Sequence, residues 1–394
     1  MPRNQDNARD EHFWQAVARR YDVEPGPINL ENGYFGRMTR RVVEEYQRNI
    51  DFINRSNSVH VRQHFDRTGG AAIRAELAEL MGVSEQAITF SQNATDSLQV
   101  LIRNYNRLQP GDQVLYSDLE YETVKGALNW LERHRGVQVV RIGHTHPASY
   151  DSLLASYREA FARYPRLKLM ALTHVTHRTG LVMPVKAIVD AATEHGVDVI
   201  LDGAHALGQL DFDLQELGVA FAGFNLQKWI GAPLSLGVLY IAPERLGDID
   251  PDMGETHFPI TDVRSRTPHS TANIPALMTL PTVLAEHWEI GGAAAKGARL
   301  AYLRDLWVSE ARQLPGIEVL TPDDPRLYGA ITSLRFTRQA NQQVMVERLL
   351  KEYNLFTVMR SGSACGPCIR ITPGFTTSPQ EMGQLIRALA ELSG

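Results

Sequence analysis

The sequence predicts an α/β protein with a mostly parallel, mixed sheet between helices and a smaller α+β domain at the C-terminal end. Apolar runs and helical patterns alternate between residues 88 and 241, which is typical of βαβ units. The pattern then changes, because Asp248–Ala272 is rich in Pro, Asp, His, Arg and Thr and has little periodicity. We therefore predict an N-terminal helical segment (1–27), a large domain (28–295) and a small domain (296–394).

The first part of the chain predicts three helices and one strand. The pattern is helical in Glu11–Tyr21, Arg40–Phe52 and Gly70–Met81. Ile28–Gly36 predicts a short strand that enters a turn punctuated by glycines. These glycines allow a close approach of the backbone, although a plain surface turn explains them as well.

A strand, a turn and a helix follow in close succession. Ile88–Phe90 predicts the strand, and Ser91–Asp96 brings small and hydroxyl-bearing residues to the start of the helix. Free backbone amides and the positive end of the helix dipole can bind a phosphate there. An ordinary capped helix is the alternative explanation.

Short apolar runs predict further strands beyond this point. They are Gln113–Tyr116, Val137–Ile142, Leu167–Leu172, Val197–Leu201, Phe221–Phe224 and Gly237–Ile241. The helices predicted between several of them are Thr123–Arg133, Tyr150–Arg163 and Val185–His195. Because the last two strands are too close for a full crossover helix, at least one of them should run antiparallel to a neighbour.

The C-terminal part mixes helices with short strands. The predicted helices are Pro275–Ser309, Gln343–Tyr353 and Pro379–Leu392. The predicted strands are Gly316–Leu320, Ala330–Phe336 and Phe356–Val358. This composition is that of a smaller α+β domain.

An aspartate at the end of a buried strand and a lysine downstream are the main chemical signal. The apolar run Val199–Leu201 stops at Asp202, which places a carboxylate at the edge of the sheet where α/β proteins bind ligands. Lys228 follows in a short segment beside Trp229. Pyridoxal phosphate (PLP) requires an amine for a Schiff base and an anion beside its pyridinium nitrogen. An ion pair or two solvated charges would explain the same residues.

Composition and charge exclude several classes of protein. The 394 residues are 43% hydrophobic and 22% charged, as in an ordinary globular protein. A net charge of −5 gives no general attraction to nucleic acid or to an anionic membrane. No apolar run is long enough for a membrane helix, and the segment Met1–Asp6 shows no secretory signal. With two cysteines and no disulfide framework, we expect a cytoplasmic location.

Several segments, taken together and in this order, resemble the fold-type I PLP enzymes of the class V aminotransferase family. Within that family they are most similar to the isopenicillin N epimerase-like branch, and they are similar also to cysteine desulfurases. The segments that carry the resemblance are Asn93–Thr95, His174–Gly180, Leu201–Gly208, Gln227–Pro233, Ser270–Asn273 and Arg370–Pro373. The resemblance extends from about Ile28 to the C-terminus.

The resemblance implies PLP as the cofactor and suggests a role for each matching residue. Lys228 is similar to the lysine that forms the Schiff base and later moves a proton, and Asp202 to the partner of the pyridinium nitrogen. The other cofactor contacts that it implies are His205, His177, Ala94, Thr95, Asn225, Gln227, Thr271 and, against the ring, Tyr121. The two histidines could instead support neighbouring residues, and Tyr121 could be structural.

The implied substrate contacts are Arg370, Tyr34 and Cys365. Arg370 resembles the arginine that binds the substrate α-carboxylate, and an inter-domain salt bridge is the alternative. Thr271 matches a hydroxyl that family dimers lend to the phosphate of the neighbouring subunit, which implies a homodimer with shared active sites. The partners expected are thus a small amino-acid-like substrate and a second copy of the chain.

The Cys365–Gly366–Pro367–Cys368 run has the letters of a redox dithiol, but it enters a strand late in the chain, so its context is wrong for one. Two thiols alone do not complete a metal site either. Arg360–Cys365 resembles the cysteine-bearing run of some desulfurases, except that the histidines of that run are replaced by Ser363 and Ala364. This difference puts persulfide chemistry in doubt.

We therefore expect a PLP enzyme that reacts at the α-carbon of an amino acid or of an amino-acid moiety, in the manner of an aminotransferase or epimerase. A specialised-metabolism role is implied by the resemblance alone. The alternatives are a C–S lyase or desulfurase-type enzyme, oxidative deamination and, as a competing class, a non-catalytic protein on the same fold. No metal is expected.

Overall fold

The computed structural model describes residues 5–268, 271–362 and 365–394. The N-terminal elements are α1 (Glu11–Ala18), β1 (Ile28–Asn29), α2 (Arg40–His60), a π-helical stretch (Val61–Gly69) and α3 (Gly70–Met81). The second helix was predicted to end at Phe52, and this was wrong. The helical backbone continues through a polar stretch that has no apolar periodicity, with a kink at Asn57, where φ is 48°.

The central sheet and its connecting helices follow. They are β2 (Ile88–Ser91), α4 (Ala94–Asn104), β3 (Gln113–Ser117), α5 (Glu122–Arg135), β4 (Gln138–Ile142), α6 (Tyr150–Arg163), β5 (Leu167–Thr173), α7 (Val185–Glu194), β6 (Asp198–Asp202), β7 (Phe221–Asn225) and β8 (Gly237–Ile241). The strand order is β2-β8-β7-β6-β5-β3-β4. β8 runs antiparallel to both of its neighbours, β2 and β7, and the other neighbouring strands are parallel, which confirms the predicted mixed sheet and its reversed strand.

Both faces of this sheet are covered by apolar side chains. On β6, Val199 and Leu201 belong to one buried cluster, whereas Ile200 belongs to the cluster on the opposite face. Successive strand residues point to opposite faces, so a strand covered on both sides has no polar position until it ends. The first acidic side chain after this run is Asp202, at the carboxyl end of β6.

The C-terminal elements form a second, smaller sheet with helices. They are α8 (Ile274–Glu289), α9 (Gly292–Ala311), β9 (Ile317–Val319), β10 (Thr332–Phe336), α10 (Gln342–Tyr353), β11 (Leu355–Phe356), β12 (Val358–Arg360), β13 (Cys368–Ile371) and α11 (Pro379–Ser393). The order β12-β13-β10-β9 is antiparallel throughout. Short 3₁₀-helices lie at Gln5–Arg9, Glu85–Ala87, Pro243–Asp248 and Val263–Arg266.

Two predictions about this part of the chain were wrong. The single helix expected at Pro275–Ser309 is two helices, because the backbone at Gly291 is left-handed, with a φ of 101°, and breaks the helix. The single strand expected at Phe356–Val358 is also divided. Its first half, β11, pairs with β1, and its second half, β12, pairs with β13.

The N-terminal strand forms a separate two-stranded sheet with a strand of the C-terminal part. β1 pairs in parallel with β11, and a further bridge links Glu31 to Thr372. The predicted three-part division stays a prediction, and its second boundary falls inside α9. Within the described ranges, no helix combines the length and apolar character needed to cross a bilayer.

Candidate active site

A cavity of about 680 Å³ lies at the carboxyl ends of the parallel strands, between the central sheet and the C-terminal sheet. Parallel strands end at the same edge, so side chains from β5, β6 and β7 meet there. The predicted site residues that line the cavity are Tyr34, Ala94, Thr95, Tyr121, His177, Asp202, His205, Asn225, Gln227, Lys228 and Arg370. The fold therefore brings together residues from many different segments of the chain.

The loop after β7 carries Lys228, and the end of β6 carries Asp202. The two strands are parallel neighbours, with Asp202 opposite Gly223. Asp202 is buried and accepts a hydrogen bond from the Ala204 amide at 2.9 Å. Burial raises the pKa of the Asp202 carboxyl, while the Ala204 amide and the charge of Lys228 oppose this rise.

The Lys228 amine is directed at a histidine. Its Nζ lies 3.0 Å from Nε2 of His205, which is buried. Burial is the main reason why the pKa of Lys228 falls from 10.5 to about 8; Asp202 opposes the fall, and the charge of Arg370 adds to it. Burial and then the charge of Lys228 hold the pKa of His205 well below its ordinary value. His205 is therefore neutral at pH 7, and its Nε2 can accept a hydrogen bond from the amine.

The N-terminus of α4 and the end of β7 form a polar cradle. The Ala94 amide donates to Asn225 Oδ1 at 2.9 Å, and Gln227 Nε2 donates to the same oxygen at 3.1 Å. A Cβ at Gly237 would lie 2.5 Å from the Asn93 Cα, so only glycine lets the helix start this close to the sheet. Helix N-terminal amides and neutral amide side chains can bind a phosphate dianion.

Several buried polar atoms of the cavity residues have no partner in the protein. They are Nδ1 of His205, Nδ1 of His177, Nε of Arg360 and Oε1 of Gln227. Buried polar atoms are rarely left without a hydrogen bond, so these atoms indicate a polar ligand. A phosphorylated pyridine whose ring oxygen and phosphate accept hydrogen bonds fits the nitrogen donors among these atoms, and Asp202 and Lys228 line the same cavity, whereas Oε1 of Gln227 can only accept.

Aromatic side chains line the outer part of the cavity. Tyr121 and His177 form an edge-to-face pair with ring centroids 5.0 Å apart. Tyr121 is 41% exposed, and Tyr34 is 70% exposed and packs on Phe35 at 5.3 Å. Tyr121 is therefore not a buried structural tyrosine, and its ring can cover a ligand in the cavity.

Arg370 lies within β13. Its guanidinium is 2% exposed and forms a fork with Glu31, in which Nε donates to Oε2 at 3.1 Å and Nη2 to Oε1. Its Nη1 donates to the His177 carbonyl at 2.6 Å. Arg360 also lines the cavity and donates to Glu31 Oε1 at 2.9 Å. Glu31 and Arg360 were not singled out as site residues from the sequence; the available signal was a glutamate directly after the predicted Ile28–Leu30 strand.

A second buried acid was also missed. Glu120 is 1% exposed and accepts hydrogen bonds from Ser117 Oγ at 3.1 Å and from Thr173 Oγ1. Thr173 lies beside Asp202 across β5 and β6 and lines the cavity. Burial raises the pKa of Glu120 to about 8, although these hydrogen bonds oppose the rise. A glutamate in a polar turn gives no sign in the sequence that it is buried.

Two predicted site residues lie away from the cavity lining. Thr271 is exposed, and Cys365 lines a separate cleft with Asp118 and His144. Neither is among the described residues that line the main cavity. Ser270, Ser363 and Ala364, which carried part of the sequence resemblance, lie outside the described residues.

The chain is similar to several known proteins. The family model described as aminotransferase class-V matches residues 37–387. The isopenicillin N epimerase of Streptomyces clavuligerus is 26% identical over 409 aligned positions, which cover 97% of this chain and 98% of that protein. A probable cysteine desulfurase of Vibrio cholerae is 32% identical over 170 residues, 42% of this chain and 41% of that one.

Solved structures share the fold at low sequence identity. The cystine C–S lyase C-DES, in complex with its reaction product cysteine persulfide, superposes with a TM-score of 0.80. It is 21% identical, and the match covers 93% of this chain and 98% of that chain. The likeness confirms the predicted α/β architecture with its smaller C-terminal part.

Proposed function

Because the chain belongs to the class V aminotransferase family and is a PLP-dependent enzyme, we propose that it acts at the α-carbon of an amino acid or of an amino-acid moiety, as an aminotransferase or epimerase does. The observation that carries the proposal is the cavity in which Lys228, Asp202, His205 and Arg370 converge. PLP, when bound, supplies an aldehyde that links to an amine and a ring that accepts electrons from the substrate.

Different residues of the chain bind the phosphate, contact the ring and orient the amine. Asn225, Gln227 and the start of α4 at Ala94 and Thr95 bind the phosphate. Asp202 holds a proton at the pyridine nitrogen. His205 orients the Lys228 amine through the 3.0 Å contact, and Tyr121 covers the ligand from the outer part of the cavity. These assignments follow from position and chemistry, and each is part of the proposal.

Lys228 is the proposed base at the substrate α-carbon. An amine with a pKa near 8 is neutral in part at pH 7, so it can take a proton from Cα and return one. Arg370 and Arg360 lie at the wall next to His177 and orient the substrate through its carboxylate. Which product forms depends on the atom to which the proton is returned.

A β-elimination that breaks a C–S bond is the second candidate. Relatives named as cysteine desulfurases and L-cysteine desulfhydrases favour it. In this candidate the protein residues act as they do in an aminotransferase or epimerase until Lys228 has removed the α-proton. A persulfide on Cys365 is not part of this candidate, because Cys365 lines a different cleft. Oxidative deamination is a third outcome at the same α-carbon, and no feature of the site favours it.

We further propose a cytoplasmic homodimer that acts in specialised metabolism. Thr271 is exposed in the single chain, as a residue that reaches the phosphate of a second subunit must be. Sedimentation of the purified protein measures the oligomeric state, and a monomer would contradict the shared-site proposal. The cytoplasmic location rests on the low cysteine content, and the role in specialised metabolism rests on the resemblance alone.

The test is to add a panel of L-amino acids to the PLP-loaded enzyme and to follow its visible absorbance and the products. Conversion to the D-isomer supports epimerisation, stoichiometric pyridoxamine phosphate supports transamination, and pyruvate, ammonia and thiol from S-alkyl-cysteines support elimination. A protein that shows no visible band with PLP, and a spectrum that Lys228→Ala leaves unchanged, would contradict the proposal.

A further inference from the structure

Two arginines and one glutamate form a cluster at the wall of the active-site cavity. Arg360 and Arg370 come from the neighbouring antiparallel strands β12 and β13, in which Val358 is opposite Arg370. Arg360 is two residues beyond Val358 and thus on the same face of the sheet. Glu31 accepts hydrogen bonds from both arginines, and it is 7% exposed.

Glu31 occupies one of the two edges of Arg370 that can bind a carboxylate with two parallel hydrogen bonds, the edge formed by Nε and Nη2. The Nε and Nη2 atoms of Arg370 both donate to Glu31, and Nη1 donates to the His177 carbonyl. Only the second hydrogens of Nη1 and Nη2 remain for a ligand, because a guanidinium has five N–H donors. A substrate carboxylate is therefore excluded from the Nε–Nη2 edge of Arg370.

Arg360 supplies further donors. Its Nε is buried and has no partner in the protein, although the residue lines the cavity and its side chain is 31% exposed. One carboxylate against two guanidinium groups leaves a single positive charge. Among the described residues that line the cavity, the remaining cations are Lys228 and Arg178, and Arg178 is paired with Glu122. Because the proposed function assigns Lys228 to the cofactor and to the substrate α-carbon, a second acidic group on the substrate would find no free cation among these described residues.

We propose that Glu31 determines specificity by limiting the site to amino-acid substrates with one carboxylate, which Arg360 and the free N–H groups of Arg370 bind together. This inference rests on the proposed function, since it names the substrate class of the same site. Glu31 acts as a positioning residue that fixes both arginines. A substrate with a second carboxylate is rejected because its charge would be desolvated without a partner.

The experiment compares L-glutamine with L-glutamate, which have nearly the same shape and differ by one charge. Each is titrated into the PLP-loaded enzyme, and the apparent affinity is taken from the change in visible absorbance. The wild-type enzyme should bind glutamine at least tenfold more tightly. Glu31→Gln should reduce this preference about tenfold, because it leaves both arginine charges uncompensated. Glu318→Gln, which removes the carboxylate of an Arg335 pair outside the cavity, is the matched control and should change nothing.

Arg360→Gln keeps the experiment decisive if Glu31→Gln does not fold. It should weaken the binding of glutamine and glutamate alike while the visible band stays. The inference is overturned if the wild type does not discriminate, if Glu31→Gln retains the wild-type preference, or if Arg360→Gln binds both amino acids as before. If no amino acid changes the spectrum of the wild type, the proposed function fails and this inference fails with it.

Discussion

Lys228 Nζ and His205 Nε2 lie 3.0 Å apart, and the histidine is kept neutral by burial and by the charge of the lysine. The imidazole can therefore accept a hydrogen bond from the amine without competing with it for a proton. This relationship joins a residue of the loop after β6 to a residue of the loop after β7. It holds the amine over the carboxyl edge of the sheet, where the cofactor is expected.

The first prediction concerns the pH dependence of cofactor capture. Only the neutral amine is a nucleophile, and the pKa of Lys228 is about 8, compared with an ordinary value of 10.5. The rate at which the visible band forms after PLP is added to the cofactor-free protein should rise about tenfold per pH unit below pH 8 and then level off. Rapid-mixing absorbance measurements between pH 6 and pH 10 test this.

Two variants act as controls for this measurement. Lys228→Ala should form no band, whereas Lys186→Ala, which removes an exposed lysine paired with Asp190, should behave like the wild type. A midpoint near the ordinary lysine value would show that the amine is not desolvated as the structure describes.

The second prediction concerns Glu120. Its pKa is about 8 in the folded protein and 4.5 when unperturbed, so the folded state binds more protons between these values. The free energy of unfolding of the wild type should therefore fall as the pH rises from 4.5 to 8. Glu120→Gln removes this dependence while it retains the polar contacts with Ser117 and Thr173.

Urea unfolding of both proteins at pH 5 and pH 8 measures the effect. Relative to the wild type, Glu120→Gln should gain about 1.4 kcal/mol per pH unit over that range. Equal pH profiles for the two proteins would mean that Glu120 is ionised in the folded state.

The third prediction concerns Lys296, whose contribution to the free energy of unfolding should change with pH in the opposite direction to that of Glu120. Lys296 is buried, with its Nζ 3.2 Å from the Trp229 carbonyl and 3.0 Å from His287 Nδ1. Burial lowers its pKa from 10.5 to about 7, so the unfolded state binds more protons between pH 7 and pH 10.5. The stability of the cofactor-free wild type should rise with pH across this range, relative to Lys296→Met.

The expected slope is about 1.4 kcal/mol per pH unit, measured by urea unfolding at pH 7 and pH 10. At pH 10 the variant should be the less stable protein by about 1–3 kcal/mol, because the Trp229 carbonyl loses its buried donor. A difference in stability that is the same at both pH values would contradict the assignment of a buried neutral amine to Lys296.

Much of the fold follows from local patterns in the sequence. The strand that ends at Asp202 was predictable, since an apolar run without polar positions needs cover on both faces. The reversal of β8 was predictable from the short connection after β7. The break at Gly291 was missed although Gly291 and Gly292 are consecutive glycines, because the apolar pattern continues on both sides of them and only the structure shows that both adopt a positive φ.

The features of the site that the sequence did not predict depend on contacts between distant segments. Glu31 and Arg370 are 339 positions apart, and nothing near either residue indicates the other. Glu120 is acidic and lies in a polar turn, and only the folded structure shows that it is buried beneath Thr173. Charge type and strand position are local properties, whereas burial and pairing are not.

The final prediction concerns the contact between the N-terminal segment and the lysine loop. The Gly36 amide donates to the Gln227 carbonyl at 2.7 Å, and a Cβ at Gly36 would lie 2.0 Å from the Lys228 carbonyl oxygen. Gly36→Ala must therefore displace the backbone of one of the two segments. It should lower the free energy of unfolding by about 1–3 kcal/mol and weaken PLP binding, because Gln227 and Lys228 lie in the displaced loop.

The matched control is Gly126→Ala in α5, where a Cβ meets nothing within 4 Å. It should raise stability by about 0.5–1 kcal/mol and leave PLP binding unchanged. Urea unfolding and titration of the visible band measure both effects, and equal PLP affinity in Gly36→Ala and the wild type would show that this segment does not position the lysine.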